Sequence, residues 1–147
     1  MKYIKHISLL SAAILASSVV LAQPQETPEE AAVHYRQGVF QTLKWKMGQL
    51  VGAKMTGDKA SFQKHAQDMQ FISTLIPEGF IADSLIEGSH AKPAVWEDPA
   101  DFAQRAQRLN DMAGELAADD YDMANFDPRN FGRTACGGCH KDYKERD

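Results

Sequence analysis

Apolar side chains recur every third or fourth residue in four separate stretches of this chain, the spacing of helices that bury one face. In the first, Val33, Arg36, Gln37, Phe40, Leu43, Met47 and Leu50 fall on one face, and the pattern predicts a helix from Pro28 to about Lys54. The second runs from about Lys59 to Ile76 and turns Phe62, Ala66, Met69, Ile72 and Ile76 inward. The third carries Phe102, Ala106, Leu109, Ala113 and Leu116 to about Ala118, and the fourth extends from Pro128 to about Lys144. No stretch alternates apolar and polar positions as a half-buried strand does, and no segment repeats.

Each predicted helix opens on a start signal. Thr27-Pro28-Glu29-Glu30 is a capping box with proline at the first helical position, where its missing N–H costs nothing. Gly57-Asp58 ends the first helix and caps the second, which Pro77 and Gly79 then break. Asp98-Pro99 and Asp127-Pro128 use the same cap-then-proline device. The long connection over residues 78–97 holds Gly79, Gly88 and Pro93 and is expected to be irregular, pinned to the body by the indole of Trp96. Four amphipathic helices with mostly short connections predict an all-α, antiparallel four-helix bundle, an architecture that places cofactors between facing helices.

The N-terminus follows a different pattern. Met1-Lys2-Tyr3-Ile4-Lys5 precedes an apolar, serine-diluted run from Ile7 to Leu21 that ends at Val20-Leu21-Ala22, which reads as a signal peptide cleaved after Ala22. Residues 23–147 would then form one domain, exported to the periplasm. The apolar run is too short and too serine-rich for a membrane span, so no membrane partner is expected. Loss of Lys2 and Lys5 takes the formal charge from −4 to about −6. Nucleic acid is a poor partner for so acidic a chain.

The candidate chemistry lies in Cys136-Gly137-Gly138-Cys139-His140, two thiols three residues apart followed at once by an imidazole, the pattern for covalent c-type haem attachment. On a helix Cys136 and His140 are four apart, so the first thiol shares a face with the histidine. Other readings exist. A zinc site would need scattered histidines to complete its ligands, since these are the only two cysteines. A thioredoxin-like pair belongs where a strand enters a helix, and no strand is predicted nearby. Export also permits a plain disulfide. The histidine directly after Cys139 favours haem over all three.

With Ala32-Val33-His34-Tyr35-Arg36-Gln37 on the first helix, Lys92-Pro93-Ala94-Val95-Trp96 before the third and the haem motif close to the C-terminus, the chain resembles the cytochromes c′, the class II c-type cytochromes. The resemblance implies one covalently attached haem c per chain, held by Cys136 and Cys139, with His140 as axial iron ligand, and a homodimer joined through the first two helices. It places Arg36 near a haem propionate, where the alternative is a solvated helix charge, and puts Gln37 in the same pocket. Phe40 falls where the family carries a bulky apolar residue, often leucine, over the open iron face. Lys144, four residues after His140, falls where the family often has arginine; the alternative is a cation serving the helix macrodipole.

An aromatic ring cannot ligate iron, so Phe40 implies five-coordinate, high-spin iron, and with the family resemblance this implies a function in binding nitric oxide, for buffering or transport. The same haem permits electron transfer with periplasmic partners, which the acid excess suggests are basic. The alternative is a low-spin electron carrier with histidine and methionine ligands. Its nearest candidate, Met47, lies seven residues beyond Phe40, roughly 10 Å along the helix. An enzyme is not expected, because the face that holds Phe40 offers Gln37 and no histidine as a distal acid or base.

Overall fold

The computed structural model describes residues 25–146, and the expected leader over residues 1–22 lies outside the described residues. Two long helices begin the domain, α1 (Pro28–Thr56) and α2 (Lys59–Ser73). The capping box at Thr27 forms as the sequence predicts: Thr27 Oγ1 accepts from the Glu30 amide (3.2 Å) and Glu30 Oε2 accepts from the Thr27 amide (2.8 Å). Gly57 closes α1 at φ +74°, a left-handed conformation that glycine adopts without Cβ strain. Asp58 then caps α2 through the Ser61 amide.

After α2 a tight turn over Ile76–Gly79 leads into the connection. A single helical turn follows, α3 (Ala94–Glu97), and Asp98 then caps α4 (Pro99–Ala117). The short α3 has no amphipathic period of its own, and the sequence reading leaves it inside the irregular connection. Trp96 does pin that connection, its Nε1 donating to the Ile81 carbonyl at 2.9 Å.

The predicted fourth helix is interrupted. It begins as α5 (Pro128–Phe131), widens to a π-helical segment over Gly132–Gly137, and resumes as α6 (Gly138–Tyr143). Gly132, Gly137 and Gly138 weaken the ordinary helical ladder there, and such wide turns recur at functional sites. Tyr143 is the last helical residue; Lys144 turns to extended backbone and bridges to Ala91.

Among the described residues there is no β-strand, and α1, α2, α4 and the α5–α6 segment form the four helical layers of a bundle in which α2 packs against both α1 and α4. Leu50, Phe62, Ala66 and Ala113 are fully enclosed. Phe62 stacks on Tyr121 and meets Phe126 edge to face. Burying each large apolar side chain contributes about 1.5–3 kcal/mol.

Candidate haem site

Helix α6 is six residues long and carries both Cys139 and His140, while Cys136 stands on the π-helical segment just before it. All three line one cavity of about 360 Å³. The rest of that cavity is walled by Leu43, Met47, Met69, Ile76, Ala106 and Leu109, from α1, α2, α4 and the turn after α2. A second cavity, of about 650 Å³, lies among α1, α6 and the connection and is lined by Arg36, Gln37, Phe80, Phe102, Tyr143 and Lys144. Phe40, Gln41, Cys139 and His140 line both.

Phe40 faces His140 across this junction, their rings edge to face with centroids 6.2 Å apart. A line of edge-to-face aromatic contacts continues from Phe40 to Phe80 (6.4 Å), Phe102 (4.6 Å) and Tyr143 (5.2 Å). Phe80 has no periodic signal in the sequence; it reaches the site because the turn after α2 folds back over α1.

Arg36 is 4% exposed, which excludes the solvated-charge alternative. Its Nη1 donates to the Gly79 carbonyl (2.7 Å) and Ser84 Oγ (2.9 Å), and its Nη2 to the Ser84 carbonyl (2.6 Å) and Ser89 Oγ (2.8 Å). The guanidinium also packs on the Phe80 ring, 4.9 Å from its centroid. Arg36 therefore holds the connection to α1, and Gly79 permits that approach: a Cβ there would stand 2.6 Å from Arg36 Cβ. Among the described residues no carboxylate pairs with this buried cation, and burial holds its pKa below the usual arginine value. Gln37 Nε2 donates to the Gly88 carbonyl at 2.9 Å, a second tie to the same connection.

The expected place of Lys144 on the helical face of His140 is corrected in one respect. The helix stops at Tyr143, so Lys144 reaches the second cavity from extended backbone, although its amide still donates to the His140 carbonyl at 3.1 Å. Burial first, and the Lys144 charge second, push the His140 pKa down, which favours the neutral imidazole that metals bind. Burial also raises both thiols, Cys139 to about 11, so each is neutral near pH 7. His34 pairs with Glu26, and His65 sits beside Lys46 and Asp68 and lines neither cavity. His90 is exposed at the rim of the second cavity.

The sequence reading missed the contacts that fix α6. Tyr143 Oη donates to Asp101 Oδ2 (2.5 Å), Arg105 Nε donates to the same oxygen (3.2 Å), and Arg105 Nη1 donates to the Gly138 carbonyl (3.0 Å). The Asp101/Arg105 pair has the i,i+4 spacing of a helical ion pair and could have been noted.

These residues fit a covalently held haem. Two unpaired thiols and an imidazole whose ring packs against apolar walls while staying open to the cavities meet at an apolar slot, and among the described residues neither ring nitrogen of His140 has a hydrogen-bond partner. Among the described residues no carboxylate lines either cavity, whereas Arg36, Lys44, Arg105 and Lys144 do, which suits a flat apolar group that brings its own carboxylates.

Comparison with known proteins agrees. The family profile described as Cytochrome C' matches residues 31–144. Cytochrome c-554 from Cereibacter sphaeroides is 32% identical over 133 residues, covering 80% of this chain and 96% of that protein. Cytochrome c' from Rubrivivax gelatinosus is 32% identical over 125 residues, covering 78% and 95%. Among solved structures, cytochrome c prime from Shewanella frigidimarina superposes with a TM-score of 0.68 at 32% identity, covering 80% of this chain and 97% of that one. The nitric oxide complex of a variant of cytochrome c prime from Alcaligenes xylosoxidans gives 0.68 at 26% identity, covering 81% and 97%. The chain belongs to the cytochrome c′ family, and its cofactor is haem c.

Proposed function

We propose that this chain is an exported monohaem cytochrome c′ that binds nitric oxide at a five-coordinate, high-spin iron, to buffer or carry it, and takes part in electron transfer. In this reading residues 1–22 are a cleaved leader and residues 23–147 the mature domain. Cys136 and Cys139 hold the ring, His140 ligates the iron, and Arg36, Gln37 and Phe40 line the pocket. Bound haem supplies an iron able to take up a diatomic gas and to change oxidation state.

The observation that carries the reading is the Phe40 ring opposed to His140. The side chain presented from α1 has no lone pair, so it fills space near the iron without ligating it. The structures of cytochrome c prime from Alcaligenes xylosoxidans include nitric oxide complexes, which favours the same ligand here. The reading treats the chain as a carrier and not an enzyme, because the distal side beside Phe40 offers Gln37 rather than a general acid or base; His34 is paired with Glu26 and His90 stands at the rim.

The alternative low-spin carrier gains one point, since Met47 does line the first cavity. Met47 nevertheless stands two helical turns beyond Phe40, and Phe40 is the residue whose ring meets His140. For electron transfer, the acid excess of the chain suggests basic redox partners. Homodimer formation through α1 and α2 is supported by the exposed Trp45 (55%), Met55 (82%) and Phe71 (66%) on those helices.

The test is an optical titration of the reduced holoprotein with nitric oxide and then carbon monoxide. Binding of nitric oxide with weaker carbon monoxide binding is expected; indifference to both gases overturns the reading.

A further inference from the structure

Helix α6 continues from the π-helical segment over Gly132–Gly137, where glycines weaken the helical ladder, so its tilt depends on the groups that grip it as well as on that junction. At its first residue, the Gly138 carbonyl accepts from Arg105 Nη1 at 3.0 Å. At its last residue, the buried Tyr143 donates its hydroxyl to Asp101 Oδ2 at 2.5 Å and packs its ring edge to face on Phe102, 5.2 Å between centroids. Arg105 itself is held by Asp101 Oδ2 through Nε at 3.2 Å, and its Nη2 lies 3.5 Å from Asp142 Oδ2. Both of these grips lead to one carboxylate in the first turn of α4; Lys92, on the connection, adds a separate tie, its amide donating to the Tyr143 carbonyl (3.0 Å) and its Nζ to the Lys141 carbonyl (3.0 Å).

Asp101 is well placed for that task. Its amide is capped by Asp98 Oδ1 at 3.1 Å, so it sits in a fixed helical turn, and the positive end of the α4 dipole favours its charge. His140 lies between the two gripped ends of α6. A tilt or a slide of this short helix moves the imidazole with it.

We propose that Asp101, acting through Arg105 and Tyr143, is the positioning residue for His140: it fixes the tilt and register of α6 and so the direction from which the imidazole meets the iron. The proposal rests on His140 being the axial ligand. It is independent of whether the iron is five- or six-coordinate.

The test uses ferric holoprotein and the hyperfine-shifted proton resonances of the His140 ring, which report the iron–imidazole geometry in either spin state. Three variants are compared, Asp101→Asn, Tyr143→Phe and Asp58→Ala; the last weakens the α2 cap away from the site. Asp101→Asn and Tyr143→Phe are expected to move or split the His140 resonances, with the larger change in Asp101→Asn. Asp58→Ala should lower the melting temperature and leave them in place. Tyr143→Phe removes one hydroxyl and keeps the ring, so it folds even where Asp101→Asn does not. Unchanged His140 resonances in Tyr143→Phe, beside a lowered melting temperature, would overturn the proposal and reduce the network to a structural tie. Absence of shifted His140 resonances in the unmodified protein would instead overturn the axial ligand itself.

Discussion

The rings of Phe40 and His140 meet edge to face with centroids 6.2 Å apart, and both side chains line both cavities of the site. The residue on α1 opposite the imidazole therefore sets what else can approach the iron. Phe40→Ala should relieve the crowding and raise carbon monoxide affinity by about tenfold or more, the scale of one or two methylenes in a tight pocket. Phe40→Met should place a thioether there, turn the iron low-spin and raise its reduction potential. Carbon monoxide titration and redox titration check the two variants.

The two thiols should act as separate tethers. Cys136 and Cys139 are unpaired, half-buried and open to the same cavity. Either single alanine variant should retain haem through one thioether, and the double variant should release all of it to acidified organic solvent. The mass of the intact chain gives the answer directly.

Gly79→Ala tests the grip of Arg36 on the connection. The added Cβ would stand 2.6 Å from Arg36 Cβ and 3.0 Å from Tyr35 Cδ1, so the turn or α1 must shift. Overpacking of this kind costs about 1–3 kcal/mol. A lower denaturant midpoint with an unchanged slope is expected; an unaltered midpoint would mean the turn yields freely.

Much of this was legible from local signals. The capping box at Thr27, the Asp-Pro starts at Asp98 and Asp127, and the left-handed Gly57 each act within four residues, so the helix starts follow from the sequence. The haem motif is equally local. What the sequence did not reveal acts over distance: Arg36 reaches carbonyls and hydroxyls 43 to 53 residues away, and Tyr143 reaches a carboxylate 42 residues away. The break in the last helix lies between these cases. Its glycines are visible and weaken the helical ladder, but no local signal in the sequence says that the helix widens there instead of running on.

Capping carboxylates give the fold an acid limb. The Asp58 carboxyl is held below the usual carboxylate range mainly by the Ser61 amide, and Asp127 by the Asn130 amide. A folded pKa below the unfolded value of about 3.9 contributes stability that is present above that value and lost as pH falls through the folded one. The Asp58→Ala, Asp127→Ala double variant should therefore unfold at lower denaturant than the unmodified protein at pH 6, and the two should converge toward pH 3. Denaturant melts at both pH values measure the gap.

The spin state of the iron tests the central claim most directly. Optical and electron paramagnetic resonance spectra of the purified ferric and ferrous holoprotein should show high-spin, five-coordinate iron, because Phe40 opposes His140 and cannot ligate. A low-spin spectrum in both oxidation states would contradict the account, and would point to a second axial ligand, with Met47 on the cavity wall as the first residue to replace.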